Sequence, residues 1–465
     1  MILERSPEKE MKPLRILGII LVFVLSCSAT VGAGTEDQDV SRLDAAEPLT
    51  PDDLYEIALR HNPDHQKYVQ NATLSGVTLR SAWGTLMPTA NASYQISQDN
   101  YYYPTYVNPD GTVSTLDEAS EGKYRSSSAA ITLQESLNLG GQQYFTIKNA
   151  SIQNRMNRLL VASSEKDLRY NVAQNYYIVL ANKRLLELAN RVLEQKREQL
   201  RLARARFEVG SVTELDVLQA EIDVGNQENA VIEAENNLKL AREELNRILG
   251  VALDSKYTLV DEFRIFQPEF ALETLIDESI RNRPDYLYYQ DQEKYQKNNV
   301  KINFGEFLPN LSAALSYIRS ENSGAAEPFT FEPRNRDLRM SLTLSWKIFS
   351  GFSREESYQQ SRVALKNARY DRNNQELLIE QEVRQAYYTL MQTYEQSKVT
   401  AKNRELGARQ LALEQERYRL GATSQLNLRT AQVTYEQAET DYIANIFSFW
   451  SNLAALERAV GKKLR

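Results

Sequence analysis

Few residues in this chain are equipped for bond-making chemistry. Only two histidines occur among its 465 residues, His61 and His65. Their i, i+4 spacing would put both rings on one helical face, which suits a metal ion. Pro63 lies between them, however, and no carboxylate-plus-histidine constellation accompanies them. They read instead as a surface pair at a helix boundary. Cys27 is the only cysteine, so no internal disulfide is possible. No motif sets a nucleophile beside a base, and no glycine-rich loop is built to cradle phosphate. No cofactor is therefore expected. A net charge of −7 and a pI near 5.4 speak against nucleic acid, which needs a basic face.

What recurs at fixed spacing is a turn. Arg206-Phe-Glu-Val-Gly210-Ser-Val-Thr213-Glu-Leu215-Asp216 has a twin 211 positions on, Arg417-Tyr-Arg-Leu-Gly421-Ala-Thr-Ser424-Gln-Leu426-Asn427. In each, a glycine ends an incoming helix in a left-handed conformation. Three residues later Thr213 or Ser424 caps an outgoing helix. Each copy is the tip of an antiparallel helical hairpin.

The elements that position these tips are unusually long. From about Gly141 to Phe207 there is no proline and no internal glycine. At ~1.5 Å per residue such a helix is about 100 Å long. Leu186, Ala189, Leu193, Lys196, Leu200, Ala203 and Phe207 step by three and four, a heptad seam. Val231, Ala234, Leu238, Ala241, Leu245 and Ile248 continue the rhythm on the return helix. A second pair of the same length runs from Ser353 to Arg419 and on to Gly461.

The whole programme occurs twice. The first repeat spans 49–250, opening with Thr50 as N-cap and Pro51 in the first turn. Pro88 breaks a helix, a β-hairpin is expected over 88–138, and the tip is at Gly210. A linker covers 251–269. The second repeat spans 270–463, with a β-hairpin over 309–349 and the tip at Gly421. In Ala90–Gln98, Ala129–Gln134, Leu311–Tyr317 and Leu338–Lys347 apolar and polar residues alternate, the pattern of strands with one face of each kind. Tyr101, Tyr102, Tyr103 and Tyr106 are read as part of a polar loop.

Residues 1–33 look like a signal peptide, with Met11 as the expected start, Lys12 and Arg15 before a short apolar core, and a small-residue cleavage site at Ala33. A competing loose lipobox ends at Cys27, which would then carry lipid. Residues 34–48 form a flexible leader. No later stretch reads as a transmembrane helix.

For an exported chain, four strands with one apolar face are an incomplete object. Four strands cannot close a barrel, and open edges are not tolerated in lipid. Three copies would give a twelve-stranded barrel. Ala90, Tyr94, Ile96, Leu342, Leu344 and Trp346 would then face lipid, and Asn91, Ser93, Gln95, Ser341, Thr343 and Ser345 would face water. Tyr94, Tyr101–Tyr103, Tyr317 and Trp346 would supply an aromatic girdle. The alternative is a soluble sheet packed on a helix, for which larger core residues than Ala90 and Ala92 are expected.

Taken together, the paired tips, the Leu-x-Pro breaks at Pro88 and Pro309, and the strand-to-helix turns at Leu-Asn-Leu-Gly-Gly141 and Ile-Phe-Ser-Gly351 resemble the TolC-like outer-membrane efflux and secretion channels over roughly residues 50–463. The resemblance implies a mainly α fold with a membrane β part. Duplicated helical hairpins would form a trimeric periplasmic α-barrel joined to a twelve-stranded transmembrane β-barrel. It implies a homotrimer in outer-membrane lipid, with a periplasmic adaptor (membrane fusion) protein and an inner-membrane RND, ABC or MFS transporter as partners. The tips Arg206, Gly210, Thr213, Leu215 and Arg417, Gly421, Ser424, Leu426 match the family's adaptor-docking surface. Asp216 and Tyr418 match partners in the contact that closes the periplasmic aperture. Thr423 stands where some members carry a basic residue. Asn427 and Thr430 stand where some carry two aspartates, so an acidic, cation-binding ring is not carried over. The competing reading is a trimeric coiled-coil structural or adhesive protein anchored in the outer membrane, with an enzyme a distant third.

Overall fold

The computed structural model describes residues 47–261, 264–324 and 335–464, without the side chains of 101–106, 114–125 and 322–324. The described residues all belong to one unit. Cys27 and both processing sites lie outside the described residues, as do the side chains of Tyr101–Tyr103.

Helix α1 (Pro51–His61) starts in a capping box between Thr50 and Asp53, with proline in its first turn. Asn62 both ends α1 and caps α2 (Pro63–Gly84). The sheet follows, with strands β1 (Thr89–Val107) and β2 (Val113–Asn138). Helix α3 (Gln142–Glu208) has 67 residues and α4 (Glu214–Leu249) has 36. The second repeat supplies α5 (Leu272–Asn282), α6 (Pro284–Gly305), β3 (Asn310–Gly324), β4 (Asn335–Ser345), α7 (Ser353–Arg419, 67 residues) and α8 (Gln425–Val460, 36 residues). No described helix is long and apolar enough to cross a membrane.

The helices form two sets that share α3 and α7. On the strand side, α3 packs between α2 and α6, and α7 packs on α6. On the tip side, α3 packs between α4 and α8, and α7 packs on α8. Where the sets meet, each repeat has its own core. Leu54, Val172, Tyr176, Leu180, Leu245 and Leu249 gather in the first; Leu275, Ile379, Val383, Leu390, Phe449 and Leu456 gather in the second. Fully burying such side chains is worth about 1.5–3 kcal/mol each. Trp450 touches both cores and joins them.

The four strands form one antiparallel sheet in chain order, β2 pairing with β3 across the repeats. Cross-strand partners put Ala90 with Leu133, Ile131 with Tyr317, Leu133 with Leu315, and Leu311 with Leu344 on one face. The other face carries the hydroxyl pairs Ser97–Ser126, Thr132–Ser316 and Ser136–Ser312. Glu135 shares the apolar face, opposite Ala313, and its carboxylate oxygens are enclosed without a donor among the described residues.

Two expectations are corrected. The stretch holding Tyr101–Tyr103 and Tyr106 is strand, not loop: pairing runs from Thr89–Gln134 out to Val107–Val113, with a register shift at Pro104, which has no N–H to give the ladder. The turn itself is only Asn108–Thr112, closed by Asn108 N donating to Thr112 O at 2.8 Å. His65, read as a surface residue, is buried, and its Nδ1 lies 2.8 Å from Ser164 Oγ on α3. The Asn62 cap turns the start of α2 onto α3, and sequence spacing carries no sign of that packing.

At Gly250 the two ends of the first repeat meet. Its φ is +74°, and an added Cβ would lie 2.1 Å from the His61 carbonyl oxygen. Gly210 has φ +71° but open space around it. Gly210→Ala should cost about 1 kcal/mol, the left-handed penalty alone, and Gly250→Ala clearly more. Denaturant titration of the two variants checks the order; equal costs would contradict it.

Candidate functional site

The candidate site is the pair of tips and the seam above them. Both tips are built alike. Gly210 N donates to Phe207 O and Ser211 N to Arg206 O; Gly421 N donates to Tyr418 O and Ala422 N to Arg417 O. The outgoing helices differ at the cap. Thr213 and Asp216 form a full capping box, Thr213 N donating to Asp216 Oδ2 at 2.9 Å, whereas Ser424 Oγ only accepts from Asn427 N at 3.3 Å. The donation from Thr213 N, and next that from its hydroxyl, hold the Asp216 carboxyl below the usual carboxylate range.

Asp216 is thus occupied by its own helix, and no hydrogen bond joins it to Tyr418. The Tyr418 ring instead lies under the Arg206 guanidinium, 4.7 Å from its centroid, linking α3 to α7. Arg417 donates to Glu414 at 2.7 Å and to the Ala422 carbonyl at 3.5 Å. The two arginines therefore have partners within the chain. Leu215 and Leu426 do not: they are 73% and 71% exposed. Asn427 Nδ2 donates to Thr423 Oγ1 at 3.1 Å, and Thr430 Oγ1 donates to Leu426 O at 3.0 Å. Between α3 and the second tip lies a groove of about 480 Å³, lined by Glu194, Glu198, Leu202, Arg206, Tyr418 and Leu428.

Sequence reasoning missed the polar seam above the tips. Lys196, at a heptad seam position of α3, is buried and donates to Gln432 Oε1 on α8 at 3.1 Å, with Glu436 at 4.0 Å. Arg191 of α3 lies 3.9 Å from buried Glu439, which also accepts from Arg404 of α7 at 2.6 Å. Arg429 of α8 pairs with Asp223 of α4 at 3.0 Å. A lysine in a heptad seam is the signal that points to this cluster, because a buried ammonium must be given acceptors.

This is a chain of long paired helices carrying one four-stranded sheet whose two edges are open. Residues 54–251 and 275–462 match the family described as outer membrane efflux protein, and the chain belongs to that family. It is similar to the alkaline protease secretion protein AprF of Pseudomonas aeruginosa, 22% identical over 75% of this chain and 70% of that one. It is also similar to the outer membrane protein TolC of Vibrio cholerae, 24% identical over 52% of this chain and 57% of that one. In fold it resembles the CmeC outer membrane channel of Campylobacter jejuni, with a TM-score of 0.76 at 16% identity over 89% of this chain and 87% of that one. The protein is an outer-membrane efflux or secretion channel component with a long periplasmic helical part, and its four strands are its share of the membrane β-barrel.

Burial in the seam, and secondarily the nearby Asp223 charge, raise the Glu436 carboxyl above its ordinary value, with Lys196 opposing. The folded state then binds the proton more tightly than the unfolded one. Its contribution to stability is full below the ordinary value of 4.5 and is lost as pH rises through the higher folded value. Glu436→Gln should therefore raise the melting temperature at neutral pH, and the gap should close as pH falls toward 4.5. Melting curves across that range measure it; a gap that widens on acidification would contradict it.

Proposed function

We propose that this chain is the exit duct of a tripartite efflux or type I secretion system, a homotrimer through which small molecules or proteins leave passively. An inner-membrane RND, ABC or MFS transporter supplies the energy, and a periplasmic adaptor couples the two. The observation that carries this reading is the pair of equivalent tips at the far end of the long helices. A structural stalk has no use for a return helix or for two exposed leucines repeated at Leu215 and Leu426.

Self-assembly has its own support. On α4, Leu218, Ile222, Ile232 and Leu240 are exposed in the single chain; on α7 and its C-cap, Val399, Leu406, Leu413 and Leu420 are exposed at intervals of seven. These stripes lie on the two outer helices of the tip-side set, and a heptad stripe is buried by another helix. The stripe of one copy fits that of the next. The adaptor would dock at Leu215, Leu426 and the adjoining groove, on residues Arg206, Gly210, Thr213, Arg417, Gly421 and Ser424.

The aperture in this reading is held by Arg206 on Tyr418, together with the Lys196 seam. Asp216 acts by capping its helix, and Thr423, Asn427 and Thr430 present neutral polar groups there. In planar bilayers the parent protein should show a small, stable conductance. Arg206→Ala should raise it, and Tyr418→Phe should raise it less, since phenylalanine keeps a ring face for the guanidinium. Absence of conductance in all three, from protein shown to be trimeric, would move the assignment to the structural or adhesive protein.

A further inference from the structure

The contact that joins the two repeats inside the chain has an unfilled twin. At the turn after β2, a Cβ added to Gly140 would lie 2.5 Å from the Gly305 Cα at the end of α6. Around this approach Asn138 Nδ2 donates to Gly305 O at 3.1 Å and to Asn310 Oδ1 at 2.7 Å, and Gln142 Nε2 donates to Ile302 O at 3.0 Å. In the duplicated sequence, Gly140 corresponds to Gly351 at an offset of 211, and Gly305 to Gly84 at an offset of 221. Both of these glycines are kept, yet a Cβ on either would meet nothing within 4 Å. Gly84 closes α2 beside β1, and Gly351 follows β4 into α7. They lie on the two opposite edges of the sheet.

The empty turn has a counterpart clamp, although its glycine differs: Gly351 is left-handed at φ +64°, whereas Gly140 is not. Gln143 Nε2 donates to Ser136 O at 2.9 Å. Its counterpart Arg354 donates from a guanidinium nitrogen to the counterpart carbonyl, Lys347 O, at 2.6 Å, and to Ile348 O at 3.0 Å. Phe352 takes the place of Gly141 and keeps its left-handed backbone, φ +64° against +73°. That conformation is unfavourable for a bulky residue and persists only where the surroundings hold it.

We propose that Gly351 of one chain packs against Gly84 of the next copy, repeating between chains the approach of Gly140 to Gly305 within the chain. The inference rests on the reading of the chain as a subunit of a closed ring. The two flanks suit each other. Trp346, Ile348, Phe349 and Phe352 are exposed on one, with Phe349 and Phe352 edge to face at 5.5 Å; Trp83, Leu86 and Met87 are exposed on the other. Phe349 stands where the inner joint has Asn138. The joint between chains is therefore apolar where the inner joint is hydrogen-bonded. It is also heterologous, one flank on the opposite flank of the next copy, so it closes a ring and not a two-fold dimer.

Disulfide trapping in the full chain tests it. With Cys27→Ser as background, Thr89→Cys and Phe349→Cys together should give covalent dimers and trimers on oxidation: they are the counterparts, at the same offsets, of the directly paired Asn310 and Asn138, a cross-strand spacing that suits a disulfide. Each single variant should stay uncrosslinked. An intramolecular bridge, or none, overturns the proposal. A second pair of variants tests the glycine itself. Gly84→Leu should lower the assembled fraction at least about tenfold, while Gly76→Leu, equally open and with Lys297 as its counterpart, should assemble like the parent. Assembly of Gly84→Leu at the parent level overturns the joint. Native mass spectrometry of the parent separates the two readings: a monomeric parent removes the ring itself, whereas a ring without the crosslink removes only this joint.

Discussion

The structure depends on the lateral support of two 67-residue helices. Neither is apolar enough to stand by burial on all sides; the chain's mean hydropathy is −0.52. Most helical stability in water comes from packing one face, so each helix must be supported along its whole length. Helix α3 meets that demand by changing partners midway, from α2 and α6 to α4 and α8. The change happens where Tyr176, Leu180, Leu54 and Leu245 are fully buried. There the Tyr176 hydroxyl lies 2.7 Å from Val260 O and 3.2 Å from Leu49 O, tying the linker and the start of the first repeat to the same point. Because the helix is continuous through this knot, the sheet at one end and the tips at the other are fixed to a common frame.

That frame explains what could be read from the residues. The bounds of α3 and the tip glycines were legible because a long run without proline or glycine, ended by Gly210, has one physical reading. The outer parts of β1 and β2 were not. Beyond Gln98 the alternation stops, and the ladder is carried by backbone hydrogen bonds that leave no trace in side-chain pattern. The contact of Arg206 with Tyr418 within the chain was illegible for a related reason. Heptad spacing tells which face of α3 is buried, but not how far α3 is rotated against α7. Only that rotation puts Arg206 over Tyr418 and leaves Asp216 to its cap. The His65–Ser164 contact was hidden in the same way, since it depends on how α2 meets α3.

The duplication adds a constraint that a single copy of the hairpin would not. Two equivalent hairpins in one chain must contact each other once inside it, and each also has an outer flank built from the counterpart residues. Substitution of the outer flank can then proceed separately from the inner one. Asn138, Gly141 and Gln143 serve the inner turn, while Phe349, Phe352 and Arg354 occupy the same places outside. The inner turn is hydrogen-bonded to its neighbour because it folds with it. The outer turn is clamped by Arg354 from within and is apolar at its surface, as suits a joint formed after folding.

Stability along the helices is uneven, and the unevenness has a direction. The cores at the knot are apolar and large, whereas near the tips the only cluster among the described residues is Leu411, Leu428 and Ala431, with Tyr418 and Tyr435 beside it. Between these levels the two hairpins are joined mainly by polar contacts, Lys196 to Gln432, Arg191 to Glu439 and Arg429 to Asp223. A polar contact can be exchanged for water at a net cost of only about 1 kcal/mol, whereas an opened apolar seam exposes surface with no replacement partner. The hairpins can therefore part at the tips while each keeps its own internal packing and the knot stays closed. The weaker end of the long helices is thus the tip end, because that is where the sequence has put hydrogen bonds and charges in place of leucine.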